Sequence, residues 1–149
     1  MKLTYLILHE EKLIMERFAG DVDLYGLLRA VQGIWADSDF DKTYRGLLDL
    51  QSADLHLSFT EISDLVSLLD KSPESSQAPF GILVSKPFET TLAKMFEAKM
   101  QPLQHVGVFS EPQDLFDFLE KPVSLFELLN SPIALQQSYP SFVNGEQLT

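Results

Sequence analysis

Short apolar runs of strand period alternate along this chain with amphipathic stretches of helical period. Tyr5 to His9 and Leu13 to Ala19 are apolar and β-prone, and Glu10-Glu11-Lys12 between them predicts a hairpin. Gly20-Asp21 punctuates, with Asp21 as the expected N-cap of a helix. Its apolar face is Leu24, Leu27, Leu28, Val31, Ile34 and Trp35. The polar run Asp37 to Asp41 ends that helix, and Tyr44 to Leu50 reads as a third strand. Ser58 and Thr60 precede a second helix with the stripe Ile62, Leu65, Val66 and Leu69, and Ser58 with Glu61 has capping-box spacing.

Lys71 to Pro79 is a Ser/Pro-rich turn. Phe80 to Val84 is uninterrupted and apolar, the mark of a strand buried on both faces. Ser85 and Pro87 open a third helix, with Phe88, Leu92, Met95 and Phe96 expected inward. His105 to Phe109 reads as the fifth strand. Ser110 is the expected cap of a fourth helix, Glu111 to Glu120, with Pro112 in its first turn. The order β-β-α-β-α-β-α-β-α predicts an α/β fold: a five-stranded, mostly parallel mixed sheet with helices mainly on one face.

That arrangement leaves a face bare, although the central strands carry apolar residues on both sides. Leu47 alternates against Leu48 and Leu50, and Leu83 against Ile82 and Val84. Soluble monomers rarely expose such a patch. The chain therefore divides into a domain over residues 1–121 and an extension over 122–149, and the extension is expected to pack on the domain or on a dimer partner. Val123, Leu125, Phe126, Leu128 and Leu129 would make a short helix ended by Ser131-Pro132, with Val123, Phe126 and Leu129, joined by Leu125, as its apolar stripe.

Composition adds exclusions. The 149 residues fit one domain, and 45% apolar content suffices for a core. Eleven basic against 22 acidic residues leave a net charge of -11, which argues against nucleic acid and anionic membrane surfaces. No cysteine is present, so thiol chemistry is excluded. The N-terminal apolar run is short and followed by charge, unlike a signal peptide, and no stretch has the length of a membrane helix. A cytoplasmic location is expected.

Catalytic and metal signatures are incomplete. Asp37-x-Asp39-x-Asp41 resembles the start of a calcium loop, but Lys42 and Leu48 stand where glycine and glutamate are needed. His9, His56 and His105 have no metal-motif spacing, and nucleophile elbows and phosphate-cradling glycine loops are absent. Asp49, expected at the end of a central strand, would need Asp54 or His56 as a catalytic partner. The simpler expectation is that it hydrogen-bonds the following turn. No enzyme activity, cofactor or metal is expected. Phe88, Met95, Phe96 and Met100, with Phe116 and Phe118, form a set that serves equally as filled core or as an adaptable apolar pocket.

The element order, with Arg45-Gly46-Leu47-Leu48-Asp49-Leu50, Ala78 to Val84, and His105 to Pro112 leading into Phe116 to Leu119, resembles the STAS domain and its divergent SpoIIAA-like members over residues 3–121. The resemblance implies a STAS/SpoIIAA-like fold and a non-catalytic interaction or regulatory module with a protein partner, a homodimer included. It puts Thr60 on the position phosphorylated in anti-anti-sigma factors, beside Ser58. The Asp-Ser-Ser-Gly of those proteins is here Ser58-Phe59-Thr60-Glu61, lacking the aspartate and glycine. Asp49, Asp54, His56, Phe59 and Ser85 are the expected interaction site. The alternative is a carrier of a small apolar or lipid-like ligand, since CRAL-TRIO proteins share this winding.

Overall fold

In the computed structural model, which describes residues 1–143 and 146–148, the two N-terminal apolar runs pair antiparallel as β1 (Lys2–Leu8) and β2 (Leu13–Asp23). The turn between them places Lys12 at positive φ. Helix α1 (Leu24–Trp35) follows directly. Its cap is Asp23, whose carboxylate accepts from the Gly26 amide at 2.8 Å, and not Asp21 as the sequence suggests. The cause is strand length: β2 stays paired to β3 as far as Asp23, opposite His56, so the helix cannot begin earlier.

Strand β3 (Arg45–His56) is long for the same reason. Its register against β2 slips by one residue between the pairs Arg17–Asp49 and Ala19–Ser52, so Leu50 and Gln51 together face Phe18. This bulge inverts the alternation. Leu48 before it, Leu50 within it, and Ala53, Leu55 and Leu57 after it all point into one core. Helix α2 (Phe59–Lys71) then opens on a complete capping box: Ser58 accepts from the Glu61 amide, and the Glu61 side chain accepts from the Ser58 amide.

Strand β4 (Phe80–Leu83), helix α3 (Pro87–Met100), strand β5 (Val106–Phe109) and helix α4 (Pro112–Leu119) complete the alternation. The caps of α3 and α4 are Lys86 and Glu111, without side-chain bonds, where the sequence suggests Ser85 and Ser110. A proline fits the first helical position, which makes the residue before it the cap in both helices.

The sheet order is β5-β4-β3-β2-β1-β6. It has six strands and not the five expected, because Leu135–Ser138 (β6) joins the free edge of β1 antiparallel. β7 (Ser141–Val143) and β8 (Glu146–Leu148) pair antiparallel in a separate two-stranded sheet. β2 through β5 run parallel, with β4 inside the sheet.

Two cores result. Helices α1, α2 and α3 cover one face, enclosing residues such as Leu3, Phe18, Leu50, Ile82 and Leu92. The other face, around Leu13, Met15, Leu47 and Leu83, is covered by α4 and by the 3-10 helix Val123–Asn130, through Leu115, Phe116, Leu119, Phe126 and Leu129. Helix α4 sits close because Gly81 lies beneath it: a Cβ there would stand 2.9 Å from the Leu115 Cγ. No helix among the described residues is long and apolar enough to cross a membrane.

Candidate functional site

The first core is not full. A cavity of about 190 Å³ lies between the sheet and α1, α2 and α3. Its walls are apolar: Leu27, Val31 and Ile34 from α1, Ile62 and Leu65 from α2, and Leu92, Ala93, Phe96 and Met100 from α3. The floor comes from alternate residues of the sheet, among them Leu48 and Ile82. The polar lining residues Asp41, Lys42, Tyr44, Ser75, Ser76 and Gln104 stand on loops that precede β3, β4 and β5. They mark an opening at the N-terminal end of the parallel strands.

One floor residue is acidic. Strand alternation puts Ile14, Glu16 and Phe18 on the cavity side of β2. Burial pushes the Glu16 carboxyl up to about 8, and no hydrogen bond or charge among the described residues offsets it. Half-buried on the cavity side of β2, it favours the protonated form near neutrality, one donor and one acceptor in an apolar wall. Sequence reasoning missed it, because Leu13 to Ala19 reads as an apolar run. The available signal was position: Glu16 shares its face with Ile14 and Phe18 in a strand whose two faces both need cover.

The mouth is held by a polar loop. Asp41 accepts from both the amide and the hydroxyl of Thr43, which lowers its pKa. The Tyr44 hydroxyl bonds His9 at 2.7 Å, and Lys42 donates to the Pro73 carbonyl at 3.0 Å. On β1, beside the cavity floor, the Tyr5 hydroxyl donates to Asp37 at 2.6 Å. Burial and that carboxylate raise the Tyr5 pKa.

The residues singled out from the sequence lie elsewhere. Asp49 is in mid-strand and not at a strand end, because β3 continues past the bulge to His56. Its carboxylate, 2% exposed, accepts from Arg17 Nε at 2.8 Å and from the Gln51 amide at 3.0 Å. Asp54 pairs with Lys86 at 2.6 Å, an exposed contact that lowers the Asp54 pKa and raises that of Lys86. His56 meets Asp21 at 2.8 Å. Asp49, Asp54 and His56 thus each have a different partner. Ser58 is committed to the capping box, while Thr60, Phe59 and Ser85 are exposed at the C-terminal ends of β3 and β4.

The Phe/Met set is divided. Phe96 and Met100 line the cavity, Phe116 and Phe118 belong to the opposite core, and Phe88 is 49% exposed where the sequence suggests it inward. Phe88 falls in the first turn of α3, which overhangs the sheet end.

No family model and no curated protein matches the chain. Among solved structures it is similar to an uncharacterized protein from the DUF3478 family, with a SpoIIAA-like fold, from Shewanella loihica PV-4. Identity is 14%, the match covers 72% of this chain and 83% of that one, and the TM-score is 0.47.

Proposed function

We propose that this protein binds a compact, mainly apolar small molecule in the cavity between its sheet and helices α1 to α3. The observation that carries the reading is the combination of an unfilled apolar core with a single unbonded carboxyl in its floor. Protein interiors are normally packed to crystal density, so such a space in the largest core needs an occupant or a cost. Size narrows the class. A dry apolar cavity of about 150 Å³ accommodates benzene, so about 190 Å³ suits one substituted ring or a short alkyl chain. A long-chain lipid would extend out through the mouth, so the enclosed volume favours the small end of the carrier reading drawn from the winding.

Ethylbenzene is the test probe. Titrated against the labelled protein, it is expected to shift methyl resonances of Leu65, Leu92 and Ile82 while leaving Leu115 and Leu129 unmoved. Absence of any shift at saturating probe would remove the reading.

A second reading, a docking surface for a protein partner, is favoured by Phe59 and Phe88. They are 58% and 49% exposed in the first turns of α2 and α3. Both helices follow parallel strands, so these rings share the sheet end that also carries Asp54, His56 and Ser85. Capture of a specific partner by the wild type, lost in Phe59→Ser/Phe88→Ser, would support it.

A further inference from the structure

Glu16 stands between Tyr5 of β1 and Leu48 of β3 in the sheet register, in the middle of the cavity floor. The groups facing it from α1, α2 and α3 are uncharged: Leu27 and Val31, Ile62 and Leu65, Leu92 and Phe96. The titratable lining groups, Asp41, Lys42 and Tyr44, all stand on the loop before β3. Tyr5, on the same face of β1, has its hydroxyl committed to Asp37. Inside the apolar space, Glu16 is therefore the group that can distinguish one polar ligand atom from another.

We propose that Glu16 is the recognition group of this cavity and that its ligand is a compact apolar amine, a single ring or short alkyl body bearing one basic nitrogen. The inference rests on the cavity reading above. An anionic headgroup fails on two counts, since it would meet an acid in the floor and a chain of net charge -11 outside. A neutral hydroxyl gains one hydrogen bond. An ammonium gains a charge-assisted pair in a low-dielectric site, and it satisfies a carboxyl that has no partner among the described residues. Lys42 does not compete, because its ammonium is bound to the Pro73 carbonyl at the rim.

The exchange balances. R–NH3⁺ meets Glu16–COOH, the acid proton leaves to solvent, and the R–NH3⁺···⁻OOC–Glu16 pair remains, with one proton released per ligand. Below the pKa of about 8 that burial gives the free acid, affinity for the amine therefore rises with pH, by up to tenfold per unit.

The experiment compares 2-phenylethylamine with ethylbenzene by calorimetry in two buffers of different ionisation heat, on the wild type and on Glu16→Gln. The wild type is expected to prefer the amine at least tenfold and to release close to one proton at pH 6.5. Glu16→Gln is expected to lose that preference and the proton. Equal preference in the two proteins, or amine binding without proton release, would overturn the role of Glu16 while ethylbenzene binding kept the cavity reading intact. Failure of ethylbenzene to bind the wild type would overturn the cavity reading and this inference together.

Discussion

Arg17 and Asp49 are register partners on neighbouring parallel strands, and their side chains meet at 2.8 Å on the sheet face opposite the cavity. The guanidinium also donates to Asn130 and lies 5.4 Å from the Phe126 ring centre. One ion pair thus ties the centre of the sheet to the 3-10 helix that covers it. Removing one partner of such a buried pair strands the other, at about 3–5 kcal/mol. Arg17 keeps some solvent and Asn130, so Asp49→Asn is expected to cost about 2–3 kcal/mol in urea unfolding. The double replacement Arg17→Met/Asp49→Leu is expected to recover most of it.

Glu16 sets a pH dependence with an unusual direction. Its carboxyl ionises near 4.5 when unfolded and near 8 when folded. Between those values the folded state holds a proton that the unfolded state has lost, so stability falls as pH rises through that window and levels above it. The slope is up to about 1.4 kcal/mol per pH unit. Thermal melts from pH 5 to 9 are expected to show this decline in the wild type and to lose most of it in Glu16→Gln.

Filling the cavity separates stability from binding. Ala93 is buried on α3 and its methyl borders the open space. Ala93→Leu is expected to stabilise the protein by about 0.5–2 kcal/mol while abolishing the ethylbenzene shifts. A destabilised variant would mean that the space near Ala93 is too narrow for the added carbons.

The capping box of α2 gives a local test. Ser58→Ala removes the acceptor for the Glu61 amide and is expected to cost about 1 kcal/mol, with Ser58→Asp restoring most of it. Equal denaturation midpoints for wild type and Ser58→Ala would show that the box contributes nothing measurable.

Truncation after Pro122 removes Phe126 and Leu129 from the second core and uncovers Leu13, Met15 and Leu47. With about 1.5–3 kcal/mol for each large side chain withdrawn from burial, the shortened chain is expected to melt far lower or to aggregate. An unchanged melting temperature would overturn this assignment of the second core.

Element order was legible because each element carries a local cause: the Glu10 to Lys12 turn, the Ser58/Glu61 pair, and a proline opening each of the last two helices. Three features had no such cause. The bulge at Leu50-Gln51 arises from pairing with β2, and nothing in Leu50-Gln51-Ser52 announces it. β6 is Leu-Gln-Gln-Ser, fully exposed, and becomes a strand only because β1 has a free edge. The cavity is a shortage of volume among three helices and a sheet, and periodicity does not report volume. For Asp49 the sequence placed the residue at a strand end and missed its ion pair, since its partner Arg17 lies 32 positions away on a strand read as apolar.

The antiparallel seam between β6 and β1 sets how the molecule responds to force. Lys2 lies opposite Ser138 and Tyr5 opposite Leu135, so β1 begins and β6 finishes at the same end of the ladder. Tension drawn through Lys2 and Ser138 loads their hydrogen bonds one at a time, like a zipper, and not all together in shear. The edge strand would peel away at low force, pulling on the 3-10 helix behind it. The second core would yield before the parallel ladders of β2 to β5 carry load.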